Sequence, residues 1–133
     1  MLRTKCIKAP MEPTDGLRIS IMSRHTMNDG VTPDADIVPK VSYGQWWRSL
    51  APDEKVLGPY LRKDILFETF ERRYREKLKN DPEASAAVER LIRLARVITV
   101  TVLCVEESPE NCHRRILLEV CKRLAPDLEI AIA

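Results

Sequence analysis

The spacing of apolar residues divides the chain into strand-like and helix-like stretches. Residues 2–8 and 17–22 are predicted to be short strands, because turn-forming Pro, Asp and Gly residues separate them. Residues 97–105 form a nearly unbroken apolar and β-branched run, which is typical of a central strand buried on both faces. Residues 128–132, after Pro126, are the last apolar segment. These four stretches are the candidate strands of one sheet.

Helical spacing dominates the middle of the chain. Residues 64–79 are predicted to form a helix capped by Asp64, because their apolar residues recur every three or four positions. Asp81-Pro82 is a strong start signal for a second helix, which is expected to end near Arg96.

Two shorter helices and a long loop are predicted earlier in the chain. Ser42 can cap a helix over residues 42–52, and Asp53 can cap a turn over residues 53–58. Residues 23–40 contain several Pro, Gly and Asx residues and no apolar periodicity, so they indicate a loop. Loops of this length in a compact domain are usually functional or mobile.

The order of these elements predicts the fold class. Strand, helix and strand follow one another over residues 97–132, as in a βαβ unit with parallel strands and a right-handed crossover. We therefore expect an α/β fold: a small, mostly parallel sheet flanked by helices, three-layer-like, with a C-terminal βαβ unit. The length of 133 residues fits a single domain, residues 1–133.

Composition narrows the classes of function. Lys plus Arg is 22 and Asp plus Glu is 20, so the net charge of +2 gives no indication of nucleic-acid binding. Residues 1–6 lack the apolar core of a secretory signal, and no apolar run is long enough to span a membrane. We therefore expect a cytoplasmic location and no membrane partner. The four cysteines are then expected to be free thiols.

The candidate chemistry lies in residues 104–114, between the strongest strand and the next helix. Either Ser108 or Asn111 can cap that helix, so Cys112, His113 and Arg114 lie near its start, where backbone N–H groups are unpaired. A thiol in this position tends toward the nucleophilic thiolate.

Each neighbouring side chain has a candidate role beside Cys112. His113 can act as its base, and Arg114 can bind a carboxylate or phosphate. Glu106 can orient these groups or act as a general base.

Structural roles compete with this interpretation. Cys104 lies in an apolar strand, Cys121 lies on the packed helix face and Cys6 lies in a terminal strand, so all three can be core residues. His113 is in phase with the apolar face of its helix, and Arg114 can simply pair with a carboxylate.

No metal and no cofactor are expected from the spacing of these residues. The chain has no CxxC pair, and adjacent Cys112 and His113 should point in different directions on a helix. A redox pair of Cys104 and Cys112 stays open.

The motif Cys104-x-Glu106-x-x-Pro109-x-x-Cys112-His113-Arg114 resembles the signature of the domain-of-unknown-function family 488, which includes the YeaO-like proteins. Weaker similarities are spread in order over most of the chain: Asp15-Gly16-Leu17-Arg18, Ser23-Arg24-His25, Trp47 with Leu50-Ala51-Pro52, and Phe67–Tyr74 with its Phe-x-x-x-Tyr spacing.

The resemblance implies a compact α/β fold and a site built from the motif and the loop after the early strand. Arg24 and His25 then become candidate ligand-binding partners. Many relatives end that strand with an Asp-Arg pair, whereas this chain has Met22-Ser23-Arg24, so a role for that acid is in doubt here. The resemblance implies no reaction.

Three functions stay open at this point. The first is an enzyme, or an enzyme-like binder, for a small anionic or nucleotide-like ligand. In it, Cys112 is the nucleophile or a ligand contact, His113 the acid–base group, and Arg24 and Arg114 the anion clamps. Cys104 is a further ligand-binding candidate. The second is a nucleic-acid-binding or regulatory module that uses the basic helix 65–79.

The third function is a protein-interaction module, including a homo-oligomer. It rests on adjacent Trp46 and Trp47, of which one is expected to be exposed.

Overall fold

The computed structural model describes residues 1–27 and 29–133. In this part of the chain, five strands form one sheet in the order β3-β2-β4-β1-β5, and every strand pair is parallel. The strands are β1 (Leu2–Cys6), β2 (Leu17–Ser20), β3 (Gln45–Trp46), β4 (Val100–Cys104) and β5 (Ile130–Ala131). The central β4 pairs along its length with β1 and β2, so the predicted central strand and the parallel sheet are confirmed.

The helices are α1 (Glu54–Leu61), α2 (Phe67–Asn80), α3 (Pro82–Val97) and α4 (His113–Leu124), and single 3-10 turns occupy Pro13–Asp15 and Arg48–Leu50. The start of α3 is the one predicted, because the Asp81 carboxylate accepts a hydrogen bond from the Glu83 N–H and Pro82 takes the first helical position. The α/β fold class is confirmed.

The two faces of the sheet are covered differently. Val100 and Val102 of β4 point into an apolar core shared with Phe70 of α2, Leu91 of α3 and Leu117 of α4. On the opposite face, Leu103 packs in a smaller cluster with residues of the long loop between β2 and β3, such as Ile37 and Tyr43. Helices, sheet and loop therefore form the three layers.

A buried ionic cluster lies beside that loop. The fully buried Asp15 carboxylate accepts hydrogen bonds from Lys5 at 3.0 Å and from Arg18 at 2.8 Å. Arg18 also donates to the Ala9 and Ser42 carbonyls. Burial of this charge is possible because ionic partners surround it.

Several predicted boundaries are wrong. Residues 42–52 contain strand β3 and a 3-10 turn rather than a helix, because Trp47 N–H continues the ladder to Ser20 O. The second long helix runs through Val97, so β4 begins only at Val100.

The starts and ends of two helices also differ from the sequence pattern. Helix α2 begins at Phe67 with Leu66 at the N-cap, so Asp64 does not cap it. Helix α1 continues past Pro59 to Leu61, where the Arg62 N–H donates to Gly58 O. Pro59 removes one backbone donor without ending the helix.

Candidate functional site

The candidate site is a cavity at the carboxyl ends of β2 and β4. In a parallel sheet these ends lie at one edge, which is where ligands bind in open α/β folds. The cavity has a volume of about 130 Å³. Its walls come from residues that follow β2, residues that follow β4, and side chains of α1 and α2. The polar and reactive residues of the lining include Arg24, Thr26, Tyr60, Cys104, Glu106, Cys112 and His113.

Cys112 occupies the N-cap of α4. Its backbone is extended, with φ −131° and ψ 143°, and α4 begins at the next residue, His113. Neither Ser108 nor Asn111 is the cap, so both predicted caps are wrong. Because Cys112 precedes the helical turn, its side chain does not follow the helical spacing of about 100° per residue. The prediction that the Cys112 and His113 side chains diverge is therefore wrong as well.

The two side chains meet a third at the floor of the cavity. His113 Nδ1 lies 3.9 Å from Cys112 Sγ and 3.6 Å from Cys104 Sγ. All three residues are buried: Cys112 is 2% exposed, Cys104 is 5% exposed and His113 is 7% exposed. The motif thus brings together three of its residues from the end of β4 and the start of α4.

A backbone carbonyl fixes the protonation pattern of His113. His113 Nε2 lies 2.8 Å from Ile21 O, and a carbonyl oxygen can only accept, so Nε2 carries a proton. The second ring nitrogen, Nδ1, is therefore the one that faces the two sulfurs and can accept a proton from a thiol. The edge-to-face contact with the Tyr74 ring, at 5.4 Å between centroids, holds the imidazole from the other side.

The surroundings separate the acidities of the two thiols. A hydrogen bond with the Cys104 thiol lowers the pKa of Cys112; burial opposes this change, and the nearby His113 supports it. The same hydrogen bond and burial raise the pKa of Cys104 well above its ordinary value. Cys112 is therefore the member of the pair that ionises first. By contrast, burial raises the pKa of Cys121 to about 12.

Arg114 is placed outside the cavity. Its guanidinium is fully buried and donates to three backbone carbonyls: Ala133 at 3.1 Å, Glu107 at 3.1 Å, and Glu106. All three guanidinium nitrogens are thus used in holding the loop after β4 and the C-terminal residue. This arrangement does not support the predicted role as an anion clamp, since Arg114 instead positions the loop that carries Glu106.

Arg24 and Glu106 do line the cavity. The Arg24 guanidinium is at the mouth, where Nη1 lies 3.2 Å from the Glu54 carboxylate on α1. Glu106 is exposed at the rim, and its charge contributes, after burial, to the raised pKa of Tyr60. Because Ile21 O holds the outer nitrogen of His113, Glu106 is not the group that orients the imidazole.

His25 lies in an aromatic cluster beside the cavity rather than in its lining. The His25 ring stacks on Trp46 at 3.9 Å between centroids, and its Nε2 lies 2.7 Å from Ser20 Oγ. Burial, and then the nearby Arg48 charge, lower the pKa of His25. Its expected contact with a ligand is not supported by this position.

Sequence reasoning missed the contribution of the helical layer. Tyr60, Leu57 and Phe70 close one side of the cavity. Tyr60 was not predicted as a site residue because Gly58-Pro59 indicates the end of a helix, which would place Tyr60 in a connecting turn. The only available signal was its aromatic spacing to Phe67 and Phe70, with which it packs.

The side chains on which the nucleic-acid-binding and protein-interaction alternatives rest contact other residues of the same chain. On the basic helix, Arg75 pairs with Glu71 and Glu119, and Lys77 pairs with Asp53. These pairs reduce the charge available to a nucleic acid.

The aromatic pair is likewise used within the fold. Trp46 and Trp47 are both half-buried, and Trp46 donates its indole N–H to Met22 O. The expected exposed tryptophan is therefore not present at either position.

Fold and site define an α/β protein with a cysteine–histidine cluster at the carboxyl edge of a parallel sheet. A family model described as "Active DUF488-N3 subclade" matches residues 2–124, so the chain belongs to this branch of the domain-of-unknown-function family 488. No curated protein and no solved structure matches the chain. Within the described residues, the helices are too short or too polar to cross a membrane.

Proposed function

We propose that the protein is a cysteine-dependent enzyme for a small anionic ligand, with Cys112 as the nucleophile. The observation that carries the proposal is the convergence of Cys112 Sγ and His113 Nδ1 at the floor of a cavity, with the tautomer set by Ile21 O. A nucleophile, a base within reach and a group that orients the base are the three parts of an activated nucleophile. The description of the matching family as an active subclade supports an enzyme.

The geometry supports a simple division of roles. His113 Nδ1 accepts the proton of the Cys112 thiol, and the sulfur attacks an electrophilic atom of the ligand in the cavity. His113 then returns that proton to the leaving group. The Cys104 thiol, 3.6 Å from the same nitrogen, keeps its own proton and donates a hydrogen bond that stabilises the Cys112 thiolate.

The dimensions and polar groups of the cavity support a small anion. Its volume of about 130 Å³ is below the roughly 300–1,000 Å³ of typical ligand pockets, which favours a small ligand over a whole nucleotide. Thr26 Oγ1 is buried and has no hydrogen-bond partner within residues 1–27 and 29–133. Arg24 and Thr26 together can therefore bind an anionic group of the ligand. The free cysteines suit a reducing compartment such as the cytoplasm.

Cysteine alkylation tests this proposal directly. At pH 7, iodoacetamide should modify Cys112 at least about tenfold faster than the buried Cys121, because Cys112, unlike Cys121, has a paired base and faces the cavity. Mass spectrometry of peptides at successive times gives both rates in one sample. His113→Gln should slow the modification of Cys112 by about tenfold or more, since it removes the base.

The chain's other histidine provides the matched control. His25→Gln lies outside the cavity lining and should leave the Cys112 rate within about twofold, provided both variants keep the wild-type urea midpoint. Equal and slow labelling of Cys112 and Cys121 in the wild type would remove Cys112 as a nucleophile.

A further inference from the structure

The same cluster has the geometry of a metal site. The potential ligand atoms Cys104 Sγ, Cys112 Sγ and His113 Nδ1 all lie within 4.8 Å of one another. Bond lengths of about 2.3 Å for Zn–S and 2.0–2.1 Å for Zn–N place two ligands of a tetrahedral zinc ion roughly 3.5–3.8 Å apart. His113 Nδ1 already lies 3.6 Å and 3.9 Å from the two sulfurs. Little movement would be needed to enclose an ion.

The hydrogen bond of the outer histidine nitrogen is also the one that a metal site requires. Metal-binding histidines usually donate their second N–H to a carbonyl or carboxylate, which fixes the ring and its tautomer. His113 Nε2 makes this contact with Ile21 O at 2.8 Å, and so leaves the Nδ1 lone pair directed at the sulfurs. The contact comes from the end of β2, so the fold orients the ligand before any metal binds.

Charge and burial favour a divalent cation. Two thiolates and a neutral imidazole neutralise Zn²⁺, so the complex adds no net charge to a site whose side chains are almost wholly buried. Two sulfurs and an imidazole are the soft and borderline ligands that zinc prefers over magnesium or calcium. Binding releases the two thiol protons to solvent and involves no change of oxidation state.

We propose that Cys104, Cys112 and His113 bind one Zn²⁺ ion, whose fourth position faces the cavity, and that the ion reversibly blocks the Cys112 nucleophile. The regulatory part rests on the proposed function, because zinc takes the sulfur lone pair that would attack the ligand. Three protein ligands and one open position form the arrangement of an accessible zinc site, rather than of a closed structural one.

Zinc binding is measured on the full chain, stripped with EDTA and kept reduced with a non-thiol reductant. Titration of Zn²⁺ against a chromogenic chelator should give one equivalent per chain. Cys104→Ser should weaken binding by about 100-fold or more, because even changes around the ligands of a zinc site cost about 10–100-fold. Cys6→Ser is the control: Cys6 is the register partner of Cys104 on β1 but lies outside the cluster, so affinity should not change.

A second measurement needs no variant. Co²⁺ added to the metal-free wild type should produce sulfur-to-cobalt charge-transfer absorption, which Zn²⁺ then displaces. Absence of both this absorption and stoichiometric zinc binding would overturn the zinc site, even if Cys104→Ser proved too unstable to test.

Alkylation with and without one equivalent of Zn²⁺ separates this inference from the proposed function. The expected result is rapid modification of metal-free Cys112 and at least tenfold slower modification with zinc. Rapid modification that zinc does not change, without zinc binding, overturns the zinc site and leaves the nucleophile in place. Zinc binding by a chain whose metal-free Cys112 is as slow as Cys121 overturns the nucleophile and its regulation.

Discussion

At the scale of single residues, two arginines that each flank a histidine in the sequence have different roles. Arg114 is fully buried, with its donors committed to backbone carbonyls. Arg24 is at the mouth of the cavity, where its Nη1 lies 3.2 Å from the exposed Glu54 carboxylate. An exposed ion pair contributes only about 0–1 kcal/mol, so an anionic ligand can replace Glu54 at little cost. Arg24 is therefore the arginine that can recognise a ligand.

Two alkylating reagents of similar size test the role of Arg24. Iodoacetate carries a carboxylate where iodoacetamide carries a neutral amide, so the ratio of their rates at Cys112 reports attraction of an anion into the cavity. Arg24→Gln should lower this ratio by about fivefold to tenfold, equivalent to the 1–1.4 kcal/mol of one partly screened charge contact. Peptide mass spectrometry gives both rates.

The iodoacetamide rate itself serves as the internal control in this comparison. It should change little in Arg24→Gln, because the nucleophile and its base are untouched. Arg62→Gln, which removes another exposed arginine on the α1 side of the molecule, should leave the ratio unchanged. A ratio that is the same in wild type and Arg24→Gln would contradict an anion-binding role for Arg24.

At the scale of elements, the start of β2 is fixed by Gly16. Its φ of +64° is in the region that favours glycine, and a Cβ there would lie 2.0 Å from Thr99 O. That carbonyl also accepts the Leu17 N–H at 3.0 Å, which sets the register of β2 on β4. The close approach at Gly16 therefore aligns the two strands whose carboxyl ends form the cavity.

Gly16→Ala should consequently destabilise the fold by about 3 kcal/mol or more, from backbone strain and from displacement of the strand. Urea denaturation gives the loss as a shift in midpoint at constant slope. Gly44→Ala is the matched control, since its Cβ would meet Leu17 and Arg18 only at 3.4 and 3.5 Å, and it should cost about 1 kcal/mol or less. Equal losses for the two variants would show that the Gly16 contact does not define the strand start.

Elements with strong local signals could be predicted from the sequence, and elements that depend on tertiary contacts could not. The start of α3 follows from Asp81-Pro82, and β4 follows from its apolar run. Strand β3 has only two residues, and its pairing with Ile19 and Ser20 of β2 is the only reason that it is a strand. The local sequence of residues 42–52 favours a short helix, but the pairing with β2 makes Gln45–Trp46 a strand instead.

In the candidate site, too, the features with a local sequence signal could be predicted, and those that depend on tertiary contacts could not. The motif located the cluster, because a strand end, a loop and a helix start are visible in sequence. Whether Cys112 and His113 converge depends on the extended backbone of Cys112 at the N-cap and on a carbonyl of Ile21, 92 residues away. Neither a backbone angle nor a carbonyl leaves a residue-type signal, so the convergence could not be predicted.

At the scale of the whole molecule, the cluster of Asp15, Lys5 and Arg18 ties the sheet to the loop layer. Asp15 accepts from Lys5 on β1 and Arg18 on β2, and its own carbonyl accepts from Thr101 Oγ1 on β4 at 2.7 Å. Three strands and the loop carbonyl of Ser42 thus meet around one carboxylate. Stability of the molecule should therefore depend on the ionisation of Asp15.

The direction of this dependence follows from its surroundings. Burial opposes ionisation of Asp15, but hydrogen bonds from the Glu12 N–H, Lys5 and Arg18 outweigh it, and the pKa of Asp15 is lowered. A carboxyl whose pKa is lower in the folded than in the unfolded state stabilises the fold above its unfolded pKa of about 3.9. That contribution is lost as the pH falls from about 4 through the folded pKa. Asp15→Asn should therefore cost about 3 kcal/mol at pH 7, because Lys5 and Arg18 are left buried beside a neutral amide.

The difference in free energy of unfolding between wild type and Asp15→Asn, here called the gap, should then narrow as the pH falls below about 4. The reason is that the wild-type carboxyl becomes neutral as well. Urea midpoints from pH 7 to pH 3 give the gap at each pH. Asp64→Asn is the control, since Asp64 is exposed and pairs with the exposed Arg62, so it should cost less than about 1 kcal/mol at every pH. A gap for Asp15→Asn that is the same at pH 7 and pH 3 would mean that the shape of this side chain, and not its charge, joins the sheet to the loop layer.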